Sequence, residues 1–337
     1  MIASQGLIEK HLMSQSEQPA PSMQAKAIVA QGLTRAFGER VAVDHVSFEV
    51  GQGEVFGFLG PNGAGKSTTA RMLTGFVRPT SGRAWIAGLD VAKHPSAARR
   101  LIGVVPEEAN VYADLTVLQN VLLMAELHGV PKARRLSRAD ELLGIFDLLP
   151  RKANKGRDLS KGLRQRLMLC MALVSDPKVL FLDEPTSGLD VASSHMIREV
   201  IQKMNREQGM TVFITTHNME EADQLCHRVA IINQGKLAAI DTPAALRGRV
   251  SSLRSVEARF VEQGVNPDDV LPLGHGKVVM AANGFQVFDS EPGRLAQEIA
   301  GKATALGLSI ESLNTRAPTL EEVFLSITAG GSDVAKQ

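Results

Sequence analysis

The sequence predicts an α/β fold, and three observations support this prediction. A GxxxxGK[ST] pattern at 60–68 lies between an apolar strand at 54–59 and the start of a helix at 69–75. Apolar segments at 179–182 and 211–216 each end in acidic or histidine side chains. Short apolar runs between turn residues surround these segments, as is typical of strands. Buried strands that alternate with helices indicate a largely parallel sheet.

The loop at 60–68 has the residue types that a triphosphate site requires. Its glycines let successive backbone N–H groups point inward, and the helix that follows adds the positive end of its dipole. We expect Lys66 to reach the β and γ phosphates and the Ser67 hydroxyl to bind Mg²⁺. A glycine-rich turn without a ligand is the alternative. The predicted nucleotide-binding residues of the loop are Gly60, Pro61, Asn62, Gly63, Ala64, Gly65, Lys66, Ser67 and Thr68.

Candidate catalytic side chains follow two of the apolar strands, at the end where ligands bind in parallel sheets. After 179–182, Asp183 is predicted to bind Mg²⁺ and Glu184 to orient or deprotonate the attacking water. A pair of exposed acids is the alternative, but it leaves the wholly apolar strand unexplained. His217, after 211–216, is predicted to contact the γ phosphate, although a lone histidine is more often a hydrogen-bonded core residue.

Three further segments are candidates for the same site. Phe37 could stack on an adenine ring, with an ordinary core aromatic as the alternative. The apolar strand at 101–105 leads to Glu107, whose side chain would emerge beside the phosphate loop. Ser160 is placed as the N-cap of another helix, whose start would also favour an anion.

The charge balance excludes a strongly basic surface over the whole chain. Lys and Arg number 37 and Asp and Glu 36, so the formal charge is +1 and no nucleic-acid partner is expected. A basic run at 132–138 lies in a helical stretch and is interpreted as a solvated face. A membrane-facing or partner-docking surface is the alternative for this run.

Cysteine spacing and hydropathy bear on the cellular compartment. Cys170 and Cys226 are not in CxxC spacing, and no basic segment followed by a long apolar one opens the sequence. Both points favour a reduced, cytoplasmic chain. No stretch approaches the roughly 18 apolar residues of a membrane-spanning helix, so work at a membrane would need another subunit to supply the span.

Residues 27 to about 248 resemble the ATP-binding subunit of an ABC transporter, because several motifs of that family occur in order. The family signature LSGGQ corresponds to 159–163, where Ser160 and Gly162 match but Lys161 and Leu163 do not. This variant is similar to that of drug-exporter-type members. The other matching motifs are the Walker A loop at 60–68, the Walker B strand with its catalytic glutamate at 180–184, the D-loop at 187–190, the switch histidine His217 and the A-loop aromatic Phe37.

The resemblance implies a P-loop NTPase (ABC ATPase) core at 26–248, with an antiparallel β subdomain and a helical insert at about 109–175. It implies hydrolysis of ATP with Mg²⁺. The implied catalytic residues are Lys66, Glu184 and His217, the further nucleotide-binding residues are Phe37, Glu107, Ser160 and Gly162, and the implied metal ligands are Ser67, Asp183 and Glu107.

Glu107 departs from the family, because it takes the position of the Q-loop glutamine. Glutamine is neutral and glutamate adds a charge, so we hypothesise that Glu107 contacts the metal or its water.

The resemblance also implies partners. Each ATP would lie between Lys66 of one copy and Ser160 and Gly162 of a second copy or a close relative. An integral-membrane permease would receive the movement, and the chain would lie on the cytoplasmic face of the membrane and drive export. A soluble ABC-type ATPase that acts on nucleic acid or ribosomes is the alternative. A plain P-loop kinase would leave the Ser160 helix and His217 unexplained.

A different pattern begins after Gly248 and predicts a small α+β domain at 249–330. Residues 318–325 resemble the C-terminal extension of drug, lipo-oligosaccharide and sodium exporter ATPases. An accessory packing role is the simpler interpretation; dimer support, regulation and permease contact are the others. Loose tails are predicted at 1–25 and 331–337. The domain's predicted strands are 256–261, 277–282, 285–288 and 308–313, and its predicted helices are 293–306 and 320–327.

Overall fold

The computed structural model describes residues 26–108, 110–250, 253–272, 274–281 and 283–329. The tails predicted at 1–25 and 331–337 therefore lie outside the described residues.

Strands and helices are interspersed along the described residues. The strands are β1 (Lys26–Phe37), β2 (Arg40–Gly51), β3 (Val55–Leu59), β4 (Ser81–Ile86), β5 (Leu89–Asp90), β6 (Ile102–Val105), β7 (Val179–Asp183), β8 (Thr211–Thr216), β9 (Arg228–Asn233), β10 (Lys236–Asp241), β11 (Ser255–Phe260), β12 (Val278–Ala281), β13 (Gly284–Phe288) and β14 (Ile310–Arg316). The helices are α1 (Lys66–Leu73), α2 (Pro95–Arg99), α3 (Val117–Leu127), α4 (Lys132–Ile145), α5 (Lys161–Leu173), α6 (Val191–Gln208), α7 (Met219–Leu225), α8 (Pro243–Arg249), α9 (Pro267–Val270), α10 (Pro292–Ala305) and α11 (Leu320–Ala329).

A six-stranded sheet in the order β10-β9-β3-β8-β7-β6 forms the centre of the fold. Its neighbouring strands are parallel except for the antiparallel pair β9 and β10. Every residue of β3 and β8 is buried, which explains why these strands are apolar runs without alternation. Because β3, β7 and β8 are parallel neighbours, the residues that follow them meet at one edge of the sheet.

A second, antiparallel sheet in the order β2-β1-β4-β5 shares a hydrophobic core with α1 and the central sheet. Rings from both sheets meet in this core, where Phe48 stacks on Phe56 with centroids 5.4 Å apart. The predicted fold class, an α/β core with an antiparallel β layer, is confirmed. The β9–β10 hairpin at the far edge of the central sheet was not predicted.

Helices α3, α4 and α5 occupy the region predicted as a helical insert. Thr116 caps α3 in a reciprocal arrangement with Gln119. The basic run lies on α4, where Arg135 pairs with Glu126 at 3.2 Å and Arg138 pairs with Asp176 at 2.5 Å. These acidic partners offset much of its charge, which agrees with a solvated face.

The C-terminal residues form an antiparallel sheet in the order β12-β13-β11-β14, which has its own core with α10. Helix α11, the last one among the described residues, does not belong to that core. Its Leu320 and Val323 are buried in the core that contains Ala222 and Leu225 of α7 and Leu246 of α8. The boundary at 248 stays a prediction, but by packing α11 belongs with the preceding domain.

Candidate functional site

The phosphate loop connects β3 to α1, and its backbone path requires glycine. Gly65 has φ of 107°, and a Cβ there would lie 2.6 Å from the carbonyl oxygen of Ala42. A Cβ on Gly60 would lie 2.4 Å from the carbonyl oxygen of Ile232. Both positions therefore exclude larger residues, and the chain can curl tightly into the N-terminus of α1.

Lys66 lies at the centre of this loop and is only 6% exposed. Its Nζ donates to the carbonyl oxygen of Gly60 at 2.7 Å and lies 3.3 Å from Glu184 Oε1. The buried ammonium group is thus partnered by a carboxylate and backbone oxygens, as a buried charge requires. It brings a positive charge to the place where a phosphate would bind.

Glu184 follows β7 in a conformation that is rare for a residue with a side chain. Its φ is +50°, and its N–H donates to the carbonyl oxygen of Thr215 at 2.9 Å. Its Oε2 lies 2.8 Å from His217 Nδ1 and accepts from the His217 backbone N–H at 3.3 Å. The structure therefore joins Lys66, Glu184 and His217 into one chain of polar contacts.

Asp183 and Ser67 form the candidate metal site. The Ser67 hydroxyl donates to Asp183 Oδ1 at 3.1 Å, and the buried Thr215 hydroxyl donates to the same oxygen. Glu107 lines one cavity with both Ser67 and Asp183. Among the described residues no group of three or more His, Cys, Asp or Glu side chains could hold a metal by itself. This donor set fits Mg²⁺, which takes one or two carboxylates and completes its oxygen shell with water and phosphate.

A cavity of about 550 Å³ opens above the loop. Phe37 stands at its edge with half of the residue exposed, and the Arg35 guanidinium lies 4.4 Å from the ring centroid. The ring is therefore not an ordinary core aromatic. The predicted residues that line this cavity are Phe37, Pro61, Asn62, Gly63, Gly65, Lys66, Ser67, Thr68, Glu107 and Glu184.

Two residues that contribute to the site were missed. Arg40 lines the same cavity, and a basic side chain directly after the turn that follows the Phe37 strand was the available signal. Thr215 holds Asp183, and its place opposite Asp183 in the β7–β8 register could not be read without the pairing of the strands.

Ser160 and Gly162 lie elsewhere. Ser160 caps α5 by accepting from the Leu163 N–H at 3.3 Å, as predicted. A Cβ on Gly162 would lie 2.6 Å from Ser193 Oγ, so a larger residue would require the Ser193 side chain on α6 to move. Neither residue lines the cavity above Lys66.

The fold and the site together define a P-loop nucleotide-binding ATPase. A family model described as ABC transporter matches residues 43–187. The linearmycin resistance ATP-binding protein LnrL of Bacillus subtilis is 33% identical, with 89% of this chain and 97% of that protein covered. A daunorubicin resistance ATP-binding protein of Streptomyces coeruleorubidus is 37% identical, with 91% and 96% covered. The Nod factor export ATP-binding protein I of Paraburkholderia xenovorans is 35% identical, with 91% and 98% covered.

Solved structures agree with these relatives. The structure of an ATP-binding subunit of an ABC transporter superposes with a TM-score of 0.62 at 29% identity, covering 66% of this chain and 92% of that chain. The dimeric structure of a bacterial ABC transporter cassette gives a TM-score of 0.59 at 29% identity, covering 64% and 98%. The chain belongs to the ATP-binding ATPase subunits of ABC transporters. Across the described residues, none of the helices has the length and apolar character needed to cross a bilayer.

Proposed function

We propose that two copies of this chain, or one copy and a close relative, bind MgATP between them and drive export through a separate membrane permease. The observation that carries this proposal is that the predicted ATP-binding residues lie at two separate places on one chain. Lys66 and the loop line the nucleotide cavity, whereas Ser160 caps a helix outside it with its side chain at the surface. A second copy would supply the missing Ser160 and Gly162, and the similar bacterial cassette was solved as a dimer.

The roles of the residues follow from their contacts. A triphosphate in the loop would compete with Glu184 for Lys66, because both are anions within reach of one ammonium group. Glu184 would then accept a proton from the attacking water, while His217 orients its carboxylate through the 2.8 Å contact. Ser67 and Asp183 would hold Mg²⁺, which neutralises charge that develops on the phosphates. Phe37 would stack on the adenine.

A groove beside the nucleotide cavity supports a membrane subunit as partner. Two adjoining cavities of about 680 and 200 Å³ share Phe76 and Val104, and we call them together the Phe76 groove. Phe76 is 67% exposed. Glu107 lines both this groove and the nucleotide cavity, so an occupant of the groove would lie next to a residue of the nucleotide cavity. Drug-resistance and export relatives favour a cytoplasmic loop of an export permease as this occupant.

Replacement of Phe76 by Ser should weaken permease binding roughly 30-fold, since a buried aromatic anchor contributes about 2 kcal/mol at an interface. The tagged chain is incubated with detergent-solubilised membranes of its host, and a bound multi-span protein is identified by mass spectrometry. Leu136→Ser is the matched control, because Leu136 is exposed on α4 outside the groove. Equal capture by the native and Phe76→Ser chains would contradict the docking site. Ribosomal proteins or nucleic acid in place of a membrane protein would favour the alternative function.

Replacement of Glu107 by Gln should raise the Mg²⁺ concentration needed for half-maximal ATPase activity by about tenfold. The carboxylate lines the cavity that contains Ser67 and Asp183, and groups that support a metal typically change its affinity 10–100-fold. The measurement is a Mg²⁺ titration of phosphate release at saturating ATP. Glu207→Gln is the control, because Glu207 is exposed near the end of α6 and lines neither cavity. If Mg²⁺ dependence and turnover both stay unchanged, Glu107 has no role at the metal.

A further inference from the structure

Glu221 is a buried acid that the mechanism above does not use. It lies on α7, the helix that starts two residues after His217, and it is 1% exposed. Its Oε1 accepts a hydrogen bond from the Thr186 hydroxyl at 2.7 Å. Thr186 is itself buried and lies two residues after Glu184. The carboxyl group of Glu221 therefore joins the turn that carries Glu184 to the helix that follows His217.

The surroundings of this carboxyl group favour its neutral form. Burial raises the pKa of Glu221, and the nearby Glu184 carboxylate raises it further, while the hydroxyls of Thr186 and Thr216 and the charge of Arg198 lower it. The Cys226 thiol also faces it, and burial raises the pKa of that thiol beyond the physiological range. Oε2 has no hydrogen-bond partner in the part of the chain that the structure describes. A buried carboxylate with one unpartnered oxygen would be costly, whereas the neutral acid avoids that cost and still accepts the Thr186 hydrogen bond.

The Thr186–Glu221 bond runs alongside the Glu184–His217 bond. Both cross-links join the same two segments, the turn after β7 and the segment after β8, at 2.7 and 2.8 Å. The first cross-link is buried, while His217 in the second is largely exposed. Because Glu184 has a strained backbone with φ of +50°, its turn needs support from its surroundings.

We propose that Glu221 is a positioning residue. Through Thr186 it holds the turn that carries Glu184 against the helix after His217, and this keeps the Glu184 and His217 side chains at hydrogen-bonding distance. This inference rests on the proposed catalytic role of Glu184.

Three variants of the full chain separate this role from simple burial. Glu221→Gln keeps the shape and is neutral at every pH, Glu221→Ala removes the link, and Thr186→Val removes the hydroxyl donor. We expect Glu221→Ala to lower kcat 10–100-fold with KM for ATP within threefold, because misplacement of a catalytic group by about 1 Å can cost about 100-fold. Glu221→Gln should stay within threefold of native kcat at pH 7. Thr186→Val should lower kcat in the native chain but add little to Glu221→Ala.

The pH dependence supplies readouts that a purely structural role would not move. Ionisation of Glu221 places a second negative charge near Glu184, so native activity should decline as pH rises through the raised pKa of Glu221, and Glu221→Gln should lack this part of the decline. A folded-state pKa above the ordinary value of 4.5 also makes native stability fall as pH rises from that value through the raised pKa. Glu221→Gln lacks this loss, so the difference between its melting temperature and that of the native chain should increase as pH rises over this range.

Provided that the Glu184→Gln variant is inactive, either of two results would overturn the inference. One is a folded Glu221→Ala variant whose kcat equals that of the native enzyme. The other, decisive if that variant does not fold, is a Glu221→Gln variant whose activity and melting temperature follow the native pH dependence. Native turnover in Glu184→Gln would instead overturn the proposed mechanism itself, and this inference with it.

Discussion

Replacement of Glu184 by Gln is expected to lower ATP turnover by about 100- to 10,000-fold while ATP binding persists. Gln preserves the size of the side chain but cannot accept a proton from water, and loss of a general base typically costs this much. Because hydrolysis would be needed to reopen the pair of subunits, an ATP-bound dimer should accumulate. Phosphate release measures turnover, and size-exclusion chromatography with and without ATP measures the dimer.

Glu207→Gln is the matched control for this prediction, since Glu207 is exposed near the end of α6 and far along that helix from the site. It should hydrolyse ATP at the native rate and form no stable dimer. A Glu184→Gln protein that stays fast would remove Glu184 from the role of base. A slow protein that remains monomeric with ATP would keep the base but contradict the shared site.

Replacement of Lys66 by Ala is expected to weaken ATP binding by about 100-fold or more. The buried ammonium group would contribute charge-assisted hydrogen bonds to two phosphates, each worth about 1.5–3 kcal/mol. The change also removes the partner of Glu184 at 3.3 Å, so a lower melting temperature is expected as well. Equilibrium binding of a fluorescent ATP analogue measures the affinity, and a thermal melt measures the stability.

Lys203→Ala on the exposed side of α6 controls for the loss of a lysine, and Lys66→Arg tests whether charge alone is sufficient. Lys203→Ala should bind ATP normally. Lys66→Arg should still bind poorly, because the larger guanidinium has no room in a site that is only 6% exposed. If Lys66→Ala binds and cleaves ATP like the native chain, the proposed nucleotide site is wrong.

The sequence predicted the centre of the fold well, because the physical signals there are local. The glycines at 60 and 65 are required by close backbone contacts, and the apolar runs of β3 and β8 are required by burial on both faces. Once these strands are taken as parallel, the residues after them must share one edge of the sheet. The family, the fold class and the ATPase activity inferred from these motifs are confirmed by the comparisons.

Other features depended on contacts between distant segments. Thr215 reaches Asp183 only through the β7–β8 register, and Glu221 reaches Thr186 across 35 positions of the chain. The packing of α11 on α7 and α8 places residues of α11 against the helix that follows His217. A short amphipathic helix has an apolar face but does not specify which core will cover it.

By itself, the sequence determined that a lysine, a serine, two acids and a histidine would meet around a phosphate loop, since strand direction and glycine geometry leave little choice. Only the tertiary structure decided that Thr215 contacts Asp183, where α11 packs, and that Ser160 lies outside the cavity of its own chain. The physical reason is that a hydrogen bond or a packing contact between distant segments depends on the relative placement of whole elements, which no local pattern encodes.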